Sequence, residues 1–160
     1  MRVVCTTSAL FVITKYCMQA PLAGHRTETG LKDGQGGEAR LSCPHGITVD
    51  SDGNLLLSDA MNLRKVTLSG AVATLAGNGQ AGFADGVGAA ARFNRPMSIV
   101  VDSQGTIFVA DNQNHCVRQV APGDGAVTTL VGVKKVLQTD SAQPRASTSC
   151  VGRPWTWTTT

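Results

Sequence analysis

Between residues 30 and 132 the apolar positions fall in short β-branched runs, not at helical spacing. Ile47-Thr48-Val49 and Ile99-Val100-Val101 each end in Asp-Ser-x-Gly, the composition of a tight turn. Leu55 to Ser58 and Ile107 to Ala110 follow at once, which predicts two hairpins. Asp-x-x-Asn comes next, at Asp59/Asn62 and Asp111/Asn114, where short polar side chains bond the nearby backbone. A third strand is predicted over Arg64 to Thr67 and Val117 to Val120. After a Gly-marked turn a fourth covers Val72 to Ala76 and Val127 to Val131.

This order of elements occurs twice because the chain repeats itself. Gly30 to Asn62 lies without a gap over Gly82 to Asn114, at an offset of 52 residues, with 14 of 33 positions identical. Beyond short gaps, Leu63 to Val66 matches Val117 to Val120, and Gly70 to Gly77 matches Gly125 to Gly132. Leu22-Ala23-Gly24 stands before the first unit as Leu75-Ala76-Gly77 stands before the second. Four short antiparallel strands recurring about every 50 residues are the signature of a β-propeller blade. The connection from Gly77 to Pro96 is long, and one helical turn is expected over Val87 to Phe93. Its glycines lack the GK[ST] ending or strand-to-helix context of a phosphate loop.

Composition changes this picture little. Glycine, at 18 of 160 residues, is abundant because turns recur. The formal charge of +3 belongs to the end of the chain, where four basic residues after Val133 face Asp140 alone. The first 133 residues carry ten of each sign, so a nucleic-acid footprint is missing from them. Five cysteines without a CxxC pair support neither a zinc ribbon nor a redox dithiol, and free, mostly buried thiols are expected. The apolar stretch Val3 to Thr14 is too short to span a bilayer, so no membrane role is expected. Residues 1–21 read either as an irregular, damaged strand of a preceding blade or as a weak secretory signal. Localisation is therefore left between cytoplasmic and secreted. Residues 133–160 continue no periodicity and are expected to be disordered.

LAGNGQAGFADGVGAAARFNRP followed by VDSQGTIFVADNQNHCVRQV resembles a blade of the NHL-repeat proteins. The triplet that names that family falls at Asn114-His115-Cys116, and the first unit keeps only Asn62-Leu63. No Trp-Asp dipeptide is present and no Gly-Gly doublet stands before the relevant strand, which argues against WD-type and kelch blades. The resemblance covers residues 22–132, with units at 30–77 and 82–132. It implies a six-bladed, TolB-like β-propeller, which at this repeat length needs on the order of 300 residues. The expected fold is all-β: an incomplete propeller of two four-stranded blades and part of a third. Such a chain is a fragment, an oligomerising half-ring, or an open array.

The recurring polar residues are the candidates for chemistry. Asp50/Asp102 and Asp59/Asp111 recur, and a site is built once whereas a turn cap recurs in every blade. Asn62 and Asn114 belong to the same motif. Arg40 and Arg92 also recur and are expected to pin the connection to a carbonyl or an aspartate. His25, His45 and His115 stand at unmatched positions without metal spacing. No catalytic, metal or cofactor-binding residue is assigned. The function expected is a non-catalytic scaffold with protein partners, including self-association that completes the ring. The alternative implied by related propellers is a lactonase-like hydrolase or lyase with a metal in the central channel.

Overall fold

The computed structural model describes residues 2–6, 8–13, 18–132 and 155–157, with residues 2–5, 11–13, 18–20 and 155–157 as backbone only. Three antiparallel sheets account for it, and no α-helix occurs among the described residues. The first sheet holds β1 (Arg2–Cys5), β2 (Ala9–Ile13) and β3 (Met18–Gly24). The second, blade 1, holds β4 (Gly34–Gln35), β5 (Pro44–Val49), β6 (Leu55–Asp59), β7 (Asn62–Val66) and β8 (Ala71–Ala76). Blade 2 repeats that set as β9 (Gly86–Val87), β10 (Pro96–Val101), β11 (Ile107–Asp111), β12 (Cys116–Val120) and β13 (Ala126–Gly132).

Both blades have the order of a meander, β5-β6-β7-β8 and β10-β11-β12-β13. A two-residue strand from the preceding connection is added outside the last strand. That fifth strand is not evident in the sequence because two residues show no alternation. The helical turn expected over Val87 to Phe93 shrinks to a 3₁₀ turn at Gly88–Ala90, matched by Gly36–Glu38 in blade 1. The N-terminal segment contributes three strands, β3 holding the outer position that its Leu-Ala-Gly ending predicts. A short strand from the tail, β14 (Trp155–Trp157), pairs antiparallel with β1, and the rest of the tail lies outside the described residues.

Alternation along each strand decides which side faces which neighbour. Leu55, Leu57, Val66 and Val72 point toward the first sheet and pack on Leu10 and Ala23. Leu56, Leu63 and Ala76 point the other way, into Phe93, Ile99, Val109 and Val120 of blade 2. The sheets therefore stack in one direction, each covering the face its predecessor leaves open. At the inner edge the backbones of β5 and β10 approach so closely that a Cβ on Gly46 would lie 2.5 Å from the Met97 carbonyl. The Gly46 N–H donates to Ser58 Oγ at 2.8 Å, and that hydroxyl donates to the Met97 carbonyl at 3.1 Å. The two hairpin turns place Gly53 and Gly105 at φ near +83° and +84°, a conformation that costs glycine nothing.

Candidate functional site

The polar centre of each blade is a buried arginine on its third strand. Arg118 on β12 is fully buried and reaches out of blade 2 toward the connection that precedes it. Its NH1 donates to Asp111 Oδ2 at 3.1 Å and to the Arg92 carbonyl at 3.0 Å. Its NH2 donates to Asp85 Oδ1 and to the Ala84 carbonyl, both at 2.7 Å. Thr129 on β13 donates to the same Asp85 oxygen at 2.9 Å. The guanidinium carbon lies 4.9 Å and 5.3 Å from the ring centres of Phe83 and Phe93. Phenyl faces carry negative potential, so this stacking favours the cation.

Blade 1 builds the same clasp. Arg64 NH1 donates to Asp59 Oδ2 at 3.3 Å and NH2 to Asp33 Oδ1 at 2.8 Å. Thr74 donates to Asp33 through both its backbone N–H and its hydroxyl. Leu31 and Leu41 stand where blade 2 has Phe83 and Phe93, so the aromatic sandwich is particular to blade 2. Arg64/Arg118 and Asp33/Asp85 belong to no local motif of the sequence. The signal was present, since Asp33 and Asp85 are identical across the gapless repeat and the arginines match beyond the gap.

The residues chosen from the sequence divide into two groups. Asp50 and Asp102 cap their own hairpin turns: Oδ1 of Asp50 accepts from the Asp52 and Asn54 N–H groups, and that of Asp102 from Gln104 and Thr106. Asp59 and Asp111 act over a longer span than a tight turn. Asp59 Oδ1 accepts from the Ser42 and Cys43 N–H groups, and Asp111 Oδ1 from Asn94, at 2.7–2.8 Å. Asn114 donates to Asp111 Oδ2 and to the Gly82 carbonyl, whereas Asn62 accepts from the Gly79 N–H. Arg40 ion-pairs with Glu28 at 2.7 Å and donates to the Gly37 and Ala39 carbonyls. Arg92 works instead through its backbone, exchanging hydrogen bonds with Ala84, while its side chain is exposed. Cys43 is disulfide-bonded, which corrects the expectation of free thiols at that position. Cys116 is free and buried, and burial pushes its thiol up, away from a reactive thiolate.

Electrostatics separates the rim of the clasp from its centre. Burial pushes the Asp85 carboxyl up, but hydrogen bonds from Thr129 and Arg118 outweigh it and hold the group below its ordinary value. Burial dominates at Asp59 and Asp111, whose carboxyls are raised despite their donors. A lowered carboxyl stabilises the fold above its unfolded pKa of 3.8 and loses that contribution as pH falls through the folded value. A raised one works oppositely, its contribution being present below 3.8 and lost as pH rises through the folded value. Asp85→Asn is therefore expected to flatten the acid limb of the stability curve, followed by urea unfolding between about pH 5 and 2. An unchanged limb would place the acid sensitivity elsewhere. Among the described residues no group of three or more His, Cys, Asp or Glu is arranged to hold a metal. No helix among them is long and apolar enough to cross a membrane.

Four-stranded antiparallel meanders stacked face to face in one direction are the blades of a β-propeller. Residues 93–120, within blade 2, match the family model of the NHL repeat. It is 36% identical over 94 residues to the Protein SUPPRESSOR OF QUENCHING 1, chloroplastic, of Arabidopsis thaliana, covering 57% of this chain and 9% of that protein. A solved Bacteroides thetaiotaomicron protein of unknown function superposes with a TM-score of 0.65 at 32% identity, covering 76% of this chain and 30% of the other. An auxiliary nutrient binding protein from Bacteroides ovatus superposes with a TM-score of 0.59 at 25% identity, covering 73% and 33%. The chain thus spans about a third of these solved structures and under a tenth of the plant protein.

Proposed function

We propose that these blades serve as a non-catalytic protein-interaction scaffold. The observation that supports this reading is where the repeated polar groups go. Asp33, Asp59, Arg64 and their partners in blade 2 are spent on bonds within their own blade. Blade 2 also leaves large apolar side chains to solvent, among them Val100, Leu130 and Val131. Sheet surface of this kind recognises another protein surface by shape and apolar burial, not by convergent chemistry. The neutral balance of the first 133 residues disfavours phosphate backbones as partners.

Thermal melts with added calcium, magnesium or zinc test the reading against a channel-metal enzyme. A resident site saturated at a hundred times its Kd would add about 2.7 kcal/mol and raise the melting temperature by several degrees. No change is expected with any of the three ions. A rise accompanied by metal-dependent lactone hydrolysis would replace the scaffold with the enzyme.

A further inference from the structure

Residues that a scaffold needs recur in each blade, so a departure from the repeat marks what the scaffold does not require. Blade 1 has such a departure at its inner edge. Pro44 and Pro96 are equivalent and open the first long strand of each blade, but their neighbours differ. Blade 1 carries Cys43 and His45 where blade 2 carries Arg95 and Met97. Blade 2 forms the same sheet with neither, so the pair is not demanded by the fold. Cys43 precedes a proline, which favours extended backbone, and side chains two residues apart in extended chain fall on one side. His45 Nε2 accordingly lies 3.5 Å from Cys43 Sγ, with both residues half-buried.

Cys43 is disulfide-bonded and Cys116 is free, which leaves Cys5, Cys17 or Cys150 as the partner, all outside the two repeat units. A disulfide sulfur carries no proton, so His45 Nε2–H is the donor in this contact. Burial, and after it the Arg95 guanidinium, hold the imidazole below its ordinary pKa of 6.5. It is therefore neutral at pH 7 and its N–H faces the sulfur. Asp59, the anion that accepts the Cys43 N–H, is itself paired with Arg64, so its negative charge is compensated.

We infer that the Cys43 disulfide is a thiol–disulfide exchange site, with His45 assisting Cys43 as the leaving sulfur and a low-molecular-weight thiol as co-reactant. A thiolate attacks the partner sulfur and the bond to Cys43 breaks. A mixed disulfide forms on the partner cysteine, while Cys43 departs as a thiolate that accepts the His45 Nε2–H. A second thiolate attacks the mixed disulfide, forming the disulfide of the small thiol and releasing the partner thiolate. Two electrons pass to the protein's S–S bond, and two thiolates leave for the two that entered. Exchange is faster when the leaving thiolate is better stabilised, and a neighbouring donor or cation supplies that stabilisation. Reduction would release blade 1 from chain outside the repeats. The clasp of that blade would persist, since it uses the Cys43 backbone N–H and not its side chain.

The test treats the full chain, purified without reductant, with reduced glutathione, then quenches by alkylation and maps the peptides by mass spectrometry. Glutathione is expected on Cys5, Cys17 or Cys150, and the alkyl group on Cys43. His45→Met, which installs the residue that blade 2 already carries, should keep the parent's far-UV circular dichroism. Its second-order rate constant for reduction is expected to fall roughly 10-fold. The position of glutathione in the parent needs no variant, so a His45→Met chain that fails to fold leaves a decisive measurement. Five titratable thiols in the denatured, unreduced chain would overturn the inference. So would glutathione carried on Cys43, or a folded His45→Met chain reduced at the parent's rate. A metal-induced rise in melting temperature, which removes the scaffold reading, leaves these outcomes untouched.

Discussion

Arg118→Ala is expected to lower the unfolding free energy by about 3–5 kcal/mol, enough to consume much of the stability of a domain this size. The loss does not come from the ion pair alone. Asp111 is fully buried, and without the guanidinium its charge keeps only the Asn94 and Asn114 donors. The Ala84 and Arg92 carbonyls lose their donor as well, so the connection preceding blade 2 is released from β12. Arg118→Lys should recover little, since an ammonium cannot serve two carboxylates and two carbonyls in one plane or stack between Phe83 and Phe93. Removing both ends of the central pair, with Arg118→Met and Asp111→Leu together, should recover much of the loss, because no buried charge is then left alone. Urea unfolding of the three variants gives the ranking. An Arg118→Ala protein within about 1 kcal/mol of the parent would mean that the clasp is ornamental.

Phe93→Ala carries the second largest expected effect, again about 3–5 kcal/mol. Phe93 is fully buried at the junction of the blades, packed in the cluster with Leu56 and Leu63, and its ring also lies under Arg118. Its removal opens a cavity between two rigid sheets that have little freedom to collapse, and it withdraws one side of the aromatic sandwich. The chain supplies its own control. Blade 1 holds Leu41 at the equivalent position, fully buried, in a blade whose Arg64 has the equivalent carboxylate partners Asp59 and Asp33. Phe93→Leu should therefore cost less than about 1.5 kcal/mol. Thermal and urea unfolding read both variants, and a leucine as damaging as the alanine would show that the ring–cation contact, not the filled volume, matters at this position.

The strands were legible because short apolar runs, Ile47-Thr48-Val49, Leu55-Leu56-Leu57 and their equivalents in blade 2, are bounded by turn residues. The propeller architecture followed from self-similarity, which needs no propensity argument. Asp50 and Asp102 were readable as turn caps because both donors lie within four residues. The clasp was not. Its members are 26 to 44 residues apart along the chain when they bridge the connection and the outer strands, and such pairings leave no local trace. Burial was misleading too: an arginine in a strand reads as a solvent-facing residue, and only the arrival of Asp85 and Asp111 from two directions makes its burial tolerable. The short β4 and β9 strands stayed hidden for a different reason, being defined by the neighbour they pair with and not by their own composition.

Because each clasp fastens the connection ahead of a blade to the third strand of that same blade, the structural unit does not coincide with the visible sheet. It begins just after Gly79, in the connection, and ends with Gly132. Cutting at the first residue of β10 would leave Asp85, Ala84 and Arg92 with the wrong partner and strand Arg118 in the transplanted piece. A gene duplication or an engineered graft that respects the earlier boundary carries its charge compensation with it. The surrounding surfaces, Leu41 against Phe93 or Gly46 against Ser98, then remain free to diverge.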